Sequence, residues 1–307
     1  MPRYVIFLGM PRTASTSIQT YLSGLDQIHF LGKTGSEFTI DEMYLLLRRR
    51  IYLQNDEEFY QNYERGHLKS LIEAKIEVKH ELVVISEEEL SIGGVLNLGL
   101  HTVSFAETLR RLSYLMDDAA EFFMLFRRHS EFIHSFHGIL ASFGHFIPLD
   151  TFTRQIKATN TNIHYFMNYL DRLNELKEHP IAHVSTFENF IDEPVHNLHN
   201  KVLKQPIPEN AKFPHDNLRP DKLNVLRHAH RLIDLHNNQS QPFPMSFLMT
   251  NFGFSQDFGL NIDVQKFYDL SDEMAAWVTE LERQYYDPLF ELLPILDELI
   301  PHQRDQA

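Results

Sequence analysis

Four short stretches of the chain are apolar at nearly every position: Tyr4 to Leu8, Leu82 to Ile85, Phe122 to Phe126, and Ile181 to Val184. A strand covered on one face alternates apolar and polar residues, whereas an unbroken short run is buried on both faces. Between these runs the pattern becomes helical. Ile18, Tyr21, Leu22 and Leu25 fall at i, i+3, i+4 and i+7, with Gly24 as a stop. Ser104 and Glu107 have capping-box spacing ahead of Phe105, Leu109, Leu112 and Met116. Ser130 is expected to cap a helix ending near Gly144, and Ser271 precedes a stripe of Met274, Trp277, Val278 and Leu281. Strands alternating with helices predict an α/β fold: an open parallel sheet flanked by helices, three layers deep.

Two stretches leave this pattern. Lys204 to Pro220 carries four prolines and reads as a surface loop. Asn237 to Asn261 mixes Pro, Gly, Ser and Phe and reads as a flap, with Phe243 to Phe258 as a candidate lining for an apolar acceptor pocket. The expectation is one domain over 1–307, in which 237–307 supplies the flap and irregular C-terminal helical decoration.

Charge and composition then narrow the partners. Lys+Arg 28 against Asp+Glu 42 gives a formal net charge of −14, and the longest basic run is Arg48 to Arg50. A field of that sign repels nucleic acid, so any bound anion must be held locally. With Cys 0, disulfides and thiol catalysis are excluded, which fits a reducing compartment. No apolar run approaches the roughly 20 residues of a membrane span, and no signal peptide is recognised at the N-terminus. A cytoplasmic location is the expectation.

The candidate chemistry starts at Phe7 to Leu22, "FLGMPRTASTSIQTYL", an apolar strand, a polar turn and the first turns of a helix. Exposed N–H groups and the helix dipole make such a turn an anion site. A loop for nucleoside triphosphate hydrolysis needs G-x-x-x-x-G-K-[ST]. Here those positions hold Gly9, Ala14, Ser15 and Thr16, so the lysine is missing and a cation stands earlier, at Arg12. Hydrolysis of ATP or GTP is therefore not the expected activity.

Gly9, Pro11, Arg12, Thr13, Ala14, Ser15, Thr16, Ser17, Ile18, Gln19 and Leu22 resemble the 5′-phosphosulfate loop of the PAPS-dependent sulfotransferases. That loop follows G-x-P-K-[ST]-G-[ST]-[ST], continued in bacterial members as S-I-Q-x-x-L. Arg12 and Ala14 depart from it, where lysine and glycine are usual. The resemblance implies a P-loop-like fold, 3′-phosphoadenosine 5′-phosphosulfate (PAPS) as donor, PAP as product and no metal. It also implies a second anchor for the 3′-phosphate, an arginine at a strand end followed eight residues later by a serine. "FRRHSEFIHS" supplies Arg127 and Ser135 at that spacing, with Arg128 as the weaker neighbouring register.

Transfer of a sulfuryl group to a hydroxyl needs a base within reach. "LVVIS" runs into "EEELS", which resembles a strand followed by S-S-E; in that register Glu88 is the base and Glu87 the reserve. Ser86 and Glu89 equally have the spacing of a helix cap. His134 and His137 share i, i+3 spacing, His228 and His230 are a poor ligand pair, and no metal site is expected. His29, just past the first helix, reads as an ordinary loop histidine, the alternative being an acceptor-side residue. "IAHVSTFENF", with Glu188, and "NLRPDKLNVLRHAHRL", with Arg219 or Lys222 as residues that close over the donor, extend the resemblance to about residue 236. The expected activity is transfer of the PAPS sulfuryl group to a hydroxyl or amine of a sugar, lipid or small molecule. The alternatives are a P-loop kinase or nucleotide hydrolase, and a non-catalytic nucleotide-binding protein.

Overall fold

The computed structural model describes residues 2–9, 15–32, 43, 46–75, 80–87, 89–92, 103–142, 147–158, 167–214 and 269–304. Five strands form one parallel sheet: β1 (Arg3–Gly9), β2 (His29–Gly32), β3 (Leu82–Ser86), β4 (Ala120–Phe126) and β5 (Ile181–Thr186). Their order is β2-β3-β1-β4-β5. The four apolar runs are all strands, extended by one or two residues at their ends. β2 was not legible as a strand, because only Phe30 and Leu31 of its four residues are large and apolar.

Eleven described helices matter below. They begin with α1 (Ser15–Ser23), α2 (Asp56–Asn62), α3 (His67–Lys75), α4 (Glu89–Ile92), α5 (Phe105–Leu115) and α6 (His129–Ser142). They continue with α7 (Leu149–Ala158), α8 (Tyr169–Lys177), α9 (Phe187–Asp192), α10 (Asp272–Leu281) and α11 (Leu289–Arg304). π-helical turns occupy Asn197–Leu203 and Glu282–Tyr286.

Alternate residues of each central strand feed two separate cores, the expected consequence of period-2 side chains. On one face, Val5, Phe7, Val84, Phe123 and Leu125 pack with Ile18, Tyr21 and Leu22 of α1 and with Phe190, Leu198 and Leu203. On the other, Tyr4, Ile6, Leu8, Val83, Phe122 and Met124 pack under α5, α8 and the C-terminal helices, whose Val278, Leu281, Tyr286 and Leu289 join the same core. Each fully buried Leu or Phe contributes about 1.5–3 kcal/mol, which is why this pattern outweighs local propensity. Helices on both faces of a parallel sheet make the α/β architecture a fact.

Several local expectations need correction. Ser104 does cap α5, its Oγ accepting the Glu107 N–H at 3.1 Å. The carboxylate of Glu107, however, turns to the Nε of Arg111 at 2.8 Å instead of closing a capping box. Arg111 is 1 % exposed, donates to the carbonyls of Ile51 and Gln54 and to Asp56, and lies 4.5 Å over the Phe59 ring. A buried guanidinium persists when its donors are all taken up in this way. Ser130 is not a cap: α6 starts at His129, and the Ser130 N–H donates to Glu282 Oε1 at 2.8 Å. His29 is not a loop residue either. It opens β2 opposite Val83, at the amino end of the sheet, with its ring 5.7 Å from that of His80. That edge is opposite to the one toward which β1, β3 and β4 end, so His29 is misplaced as an acceptor-side residue.

Candidate active site at the carboxyl edge of the sheet

In an open parallel sheet, ligands bind where successive connections leave in opposite directions. Here the chain from β1 goes to β2, past the place of β3, while the chain from β3 goes to β4, past β1. That rule puts the expected ligand crevice at the carboxyl ends of β1 and β3, with β4 on the other side of β1. Phe7 is opposite Ser86 and Gly9 opposite Leu125, so Gly9, Ser86–Glu87 and Arg127 leave the sheet at one edge.

Two side-chain bonds tie these ends together. Gln19 of α1, 1 % exposed, donates from Nε2 to Ser86 Oγ at 3.1 Å. Ser91 of α4 donates from Oγ to the Gly9 carbonyl at 2.9 Å. Arg172, buried on α8, donates in turn to the Ser91 carbonyl and lies 4.6 Å over Phe105. Sequence reasoning missed Ser91 and Arg172, since neither has a marked neighbour in the chain and only the packing of α4 and α8 makes them adjacent.

Of the first loop, Pro11, Arg12, Thr13 and Ala14 lie outside the described residues. Ser15, Thr16 and Ser17 form the first turn of α1; Thr16 is exposed, whereas Ser15 and Ser17 are buried. Among the described residues the Ser17 hydroxyl, sealed from solvent, has no hydrogen-bond partner. A buried hydroxyl without a partner costs about 1–3 kcal/mol, so an acceptor atom near the N-terminus of α1 would relieve it. Ser86 gives its hydroxyl to Gln19 as acceptor. Glu87 is fully buried just beyond β3; Glu88, the expected base, lies outside the described residues, as do Arg219, Lys222, His228, His230 and the Phe243 to Phe258 stretch.

The second anchor is described in full. Arg127 follows β4 directly and is 5 % exposed. Its guanidinium lies 5.2 Å from the Phe187 ring and donates to Glu131 Oε2 at 3.2 Å. Tyr169 fixes the backbone there, its hydroxyl donating to the Arg127 carbonyl at 2.8 Å. Arg128 points elsewhere: it pairs with Glu282 at 3.7 Å and covers the Tyr286 ring at 5.4 Å, while its N–H donates to Glu188 Oε1 at 3.4 Å. Glu188 also takes a short bond from the Tyr286 hydroxyl, and burial with this carboxylate raises the Tyr286 pKa, keeping the phenol protonated. Ser135 is half-buried on α6.

Behind the turn, His129 stacks on Tyr169 with ring centroids 4.3 Å apart and faces the Met167 carbonyl from Nε2 at 2.8 Å. A carbonyl only accepts, so Nε2 carries the proton. Burial pushes the His129 pKa down to about 4, so the ring is neutral near pH 7. His134 and His137 do not converge: the first is exposed, and the second is buried and faces the Ile147 carbonyl. Among the described residues, no group of three His, Asp or Glu is gathered for a metal, and no helix is long and apolar enough to cross a membrane.

No family model matches this chain, and no curated protein does. Among solved structures it is similar to a sulfotransferase from Alicyclobacillus acidocaldarius, with 14 % identity over 78 % of this chain and 97 % of that one, at a TM-score of 0.46. At that identity and score, function has to be read from the residues of the site.

Proposed function

We propose that this protein is a sulfotransferase that moves the sulfuryl group of PAPS to a hydroxyl or amine of a sugar, lipid or small molecule. The observation that supports this reading is that a set of hydroxyls and a buried arginine follow two hydrogen-bonded neighbouring strands. After β1 come the hydroxyls that open α1, including the buried Ser17; after β4 come Arg127 and, on α6, Ser135. Neighbouring strands are about 4.8 Å apart, so both groups can serve one nucleotide that carries two separate phosphates. A nucleoside triphosphate has its charge in one chain and no use for the second anchor.

In this reading Arg12, Thr13, Ser15, Thr16 and Ser17 hold the 5′-phosphosulfate, with Pro11 and Ala14 shaping the turn. Arg12 supplies the charge that stabilises the leaving 5′-phosphate during in-line attack at sulfur. Arg127 and Ser135 hold the 3′-phosphate through a guanidinium fork and a hydroxyl. Glu87 has no exposed surface for an acceptor to touch, so Glu88 is assigned the acceptor proton and Glu87 remains in reserve. The chemistry asks for no metal.

The test is calorimetric binding of 3′,5′-adenosine bisphosphate (PAP), beside ATP with and without Mg²⁺. The expected result is metal-independent PAP binding that Arg127→Ala weakens by roughly 10- to 100-fold, the range for a hydrogen-bonded charge. Mg²⁺-dependent ATP binding with no preference for a 3′-phosphate would replace this reading by the kinase one.

A further inference from the structure

Arg127 and Glu131 form an ion pair whose two halves differ in exposure, 6 % for the arginine side chain against 43 % for the glutamate. Glu131 and Ser135 are four residues apart on α6, which makes them neighbours on one stripe of the helix. The carboxylate therefore stands between the arginine and the serine, the two groups assigned above to the 3′-phosphate. A phosphate oxygen arriving there meets a guanidinium N–H already directed to Glu131 Oε2 at 3.2 Å.

We infer that Glu131 is an internal counter-anion of the donor site, a positioning residue that acts through Arg127. In the free protein it pairs with the buried guanidinium, which lies against the Phe187 ring. A phosphate dianion, with more charge and three acceptor oxygens, displaces it into the solvent to which it is already half open. Glu131 remains on the helix beside the bound phosphate, so it opposes binding electrostatically. Two consequences follow. A nucleotide without a 3′-phosphate has nothing with which to displace the carboxylate, and the product PAP is held less tightly than Arg127 and Ser135 alone would hold it. Product release is eased at the expense of part of the preference for a 3′-phosphate.

This inference rests on the sulfotransferase reading, and the experiment separates the two. Affinities of PAP and of adenosine 5′-phosphate are measured calorimetrically for the wild-type protein and for Glu131→Gln, an isosteric change at a half-exposed position. Removing one negative charge a few ångströms from the phosphate is expected to tighten PAP by roughly fivefold and to leave adenosine 5′-phosphate within about twofold. A residue that merely stabilised α6 would leave the ratio of the two affinities where it was. If the wild type prefers PAP and the variant leaves that ratio unchanged or lowers it, the role given to Glu131 is wrong while the donor reading stands. If the wild type shows no preference for PAP, the donor reading fails and this inference fails with it.

Discussion

Arg111 and Arg127 are both buried arginines, 1 % and 5 % exposed, and they differ in how far backbone carbonyls hold them. Arg111 donates to two backbone carbonyls, to Glu107 beside it on α5, itself buried, and to Asp56, with the Phe59 ring beneath it. Backbone carbonyls cannot swing away, and Glu107 is itself held by Arg110. Arg127 gives an N–H to Glu131, a side chain that can swing out, and its ring neighbour Phe187 is likewise a side chain. A guanidinium fixed by backbone is part of the scaffold; one balanced by an exchangeable carboxylate can change partner. Under the function proposed above, that difference suits Arg127, and not Arg111, to meeting a ligand.

The contrast can be broken most directly at Arg111. Arg111→Ala breaks a buried pair, leaves the Ile51 and Gln54 carbonyls without their donor and empties the space over the Phe59 ring, while Glu107 keeps Arg110 and the Tyr60 hydroxyl; a loss of about 3 kcal/mol is expected in denaturant unfolding. A loss below about 1 kcal/mol would show that its many bonds do not fix the scaffold. Arg12→Ala bears on the other anchor: turnover is expected to fall by about 10²–10³, as on removal of one preorganised donor. Unchanged turnover would take Arg12 out of the chemistry.

His129 tests how closed the back of the Arg127 turn is. The unfolded chain takes up a proton near pH 6.5 and the folded protein only near 4. Stability conferred by the neutral ring is therefore complete above pH 6.5 and declines as the pH falls toward 4, by about 3 kcal/mol. Thermal unfolding across that range should show the decline, and His129→Gln, which keeps a donor for Met167, should flatten it. An equally steep decline in the variant would mean that other groups produce it and that burial does not hold the His129 ring neutral.

Smaller effects sharpen the comparison. Arg127→Ala is expected to cost only about 1 kcal/mol in unfolding, because the abandoned Glu131 can be hydrated. A cost like that of Arg111→Ala would place the two arginines in one class. Asp56 carries the smallest effect: the hydrogen bond from Arg111 holds its carboxyl below the usual range, but the group is exposed. Asp56→Asn should cost at most about 1 kcal/mol at pH 7. Because the folded pKa is depressed, that contribution is present above the unfolded pKa and fades as the pH falls through the folded one, so the two proteins should converge in acid.

Much of this molecule was legible in its sequence because its signals are local. A run such as Phe122 to Phe126 is buried on both faces whatever surrounds it, and the Ser104 and Ser271 caps act within one turn. The spacing of Arg127, Glu131 and Ser135 is likewise written along one helix, although the ion pair it produces was not anticipated. β2 escaped because it is short and only Phe30 and Leu31 are large and apolar, whereas the other edge strand, β5, has a longer apolar run; Gly32 fits beside Ser86, where an added Cβ would come within 3.2 Å of the Ser86 carbonyl and 2.5 Å of the Phe30 ring. His29 was misplaced because residue order does not say at which end of a strand a side chain will stand.

The sequence by itself determined the fold class, four of the five described strands (β1, β3, β4 and β5) and the candidate groups after β1, β3 and β4. Hydrophobic period and capping spacing are properties of neighbouring residues. Tertiary structure alone decided which distant groups brace that edge: Gln19 on Ser86, Ser91 on Gly9, Tyr169 on Arg127, and Glu282 with Tyr286 on the turn that follows β4. Hydrogen bonds across such separations depend on how helices pack on the sheet, and that is fixed by the summed burial of two cores, not by any local spacing.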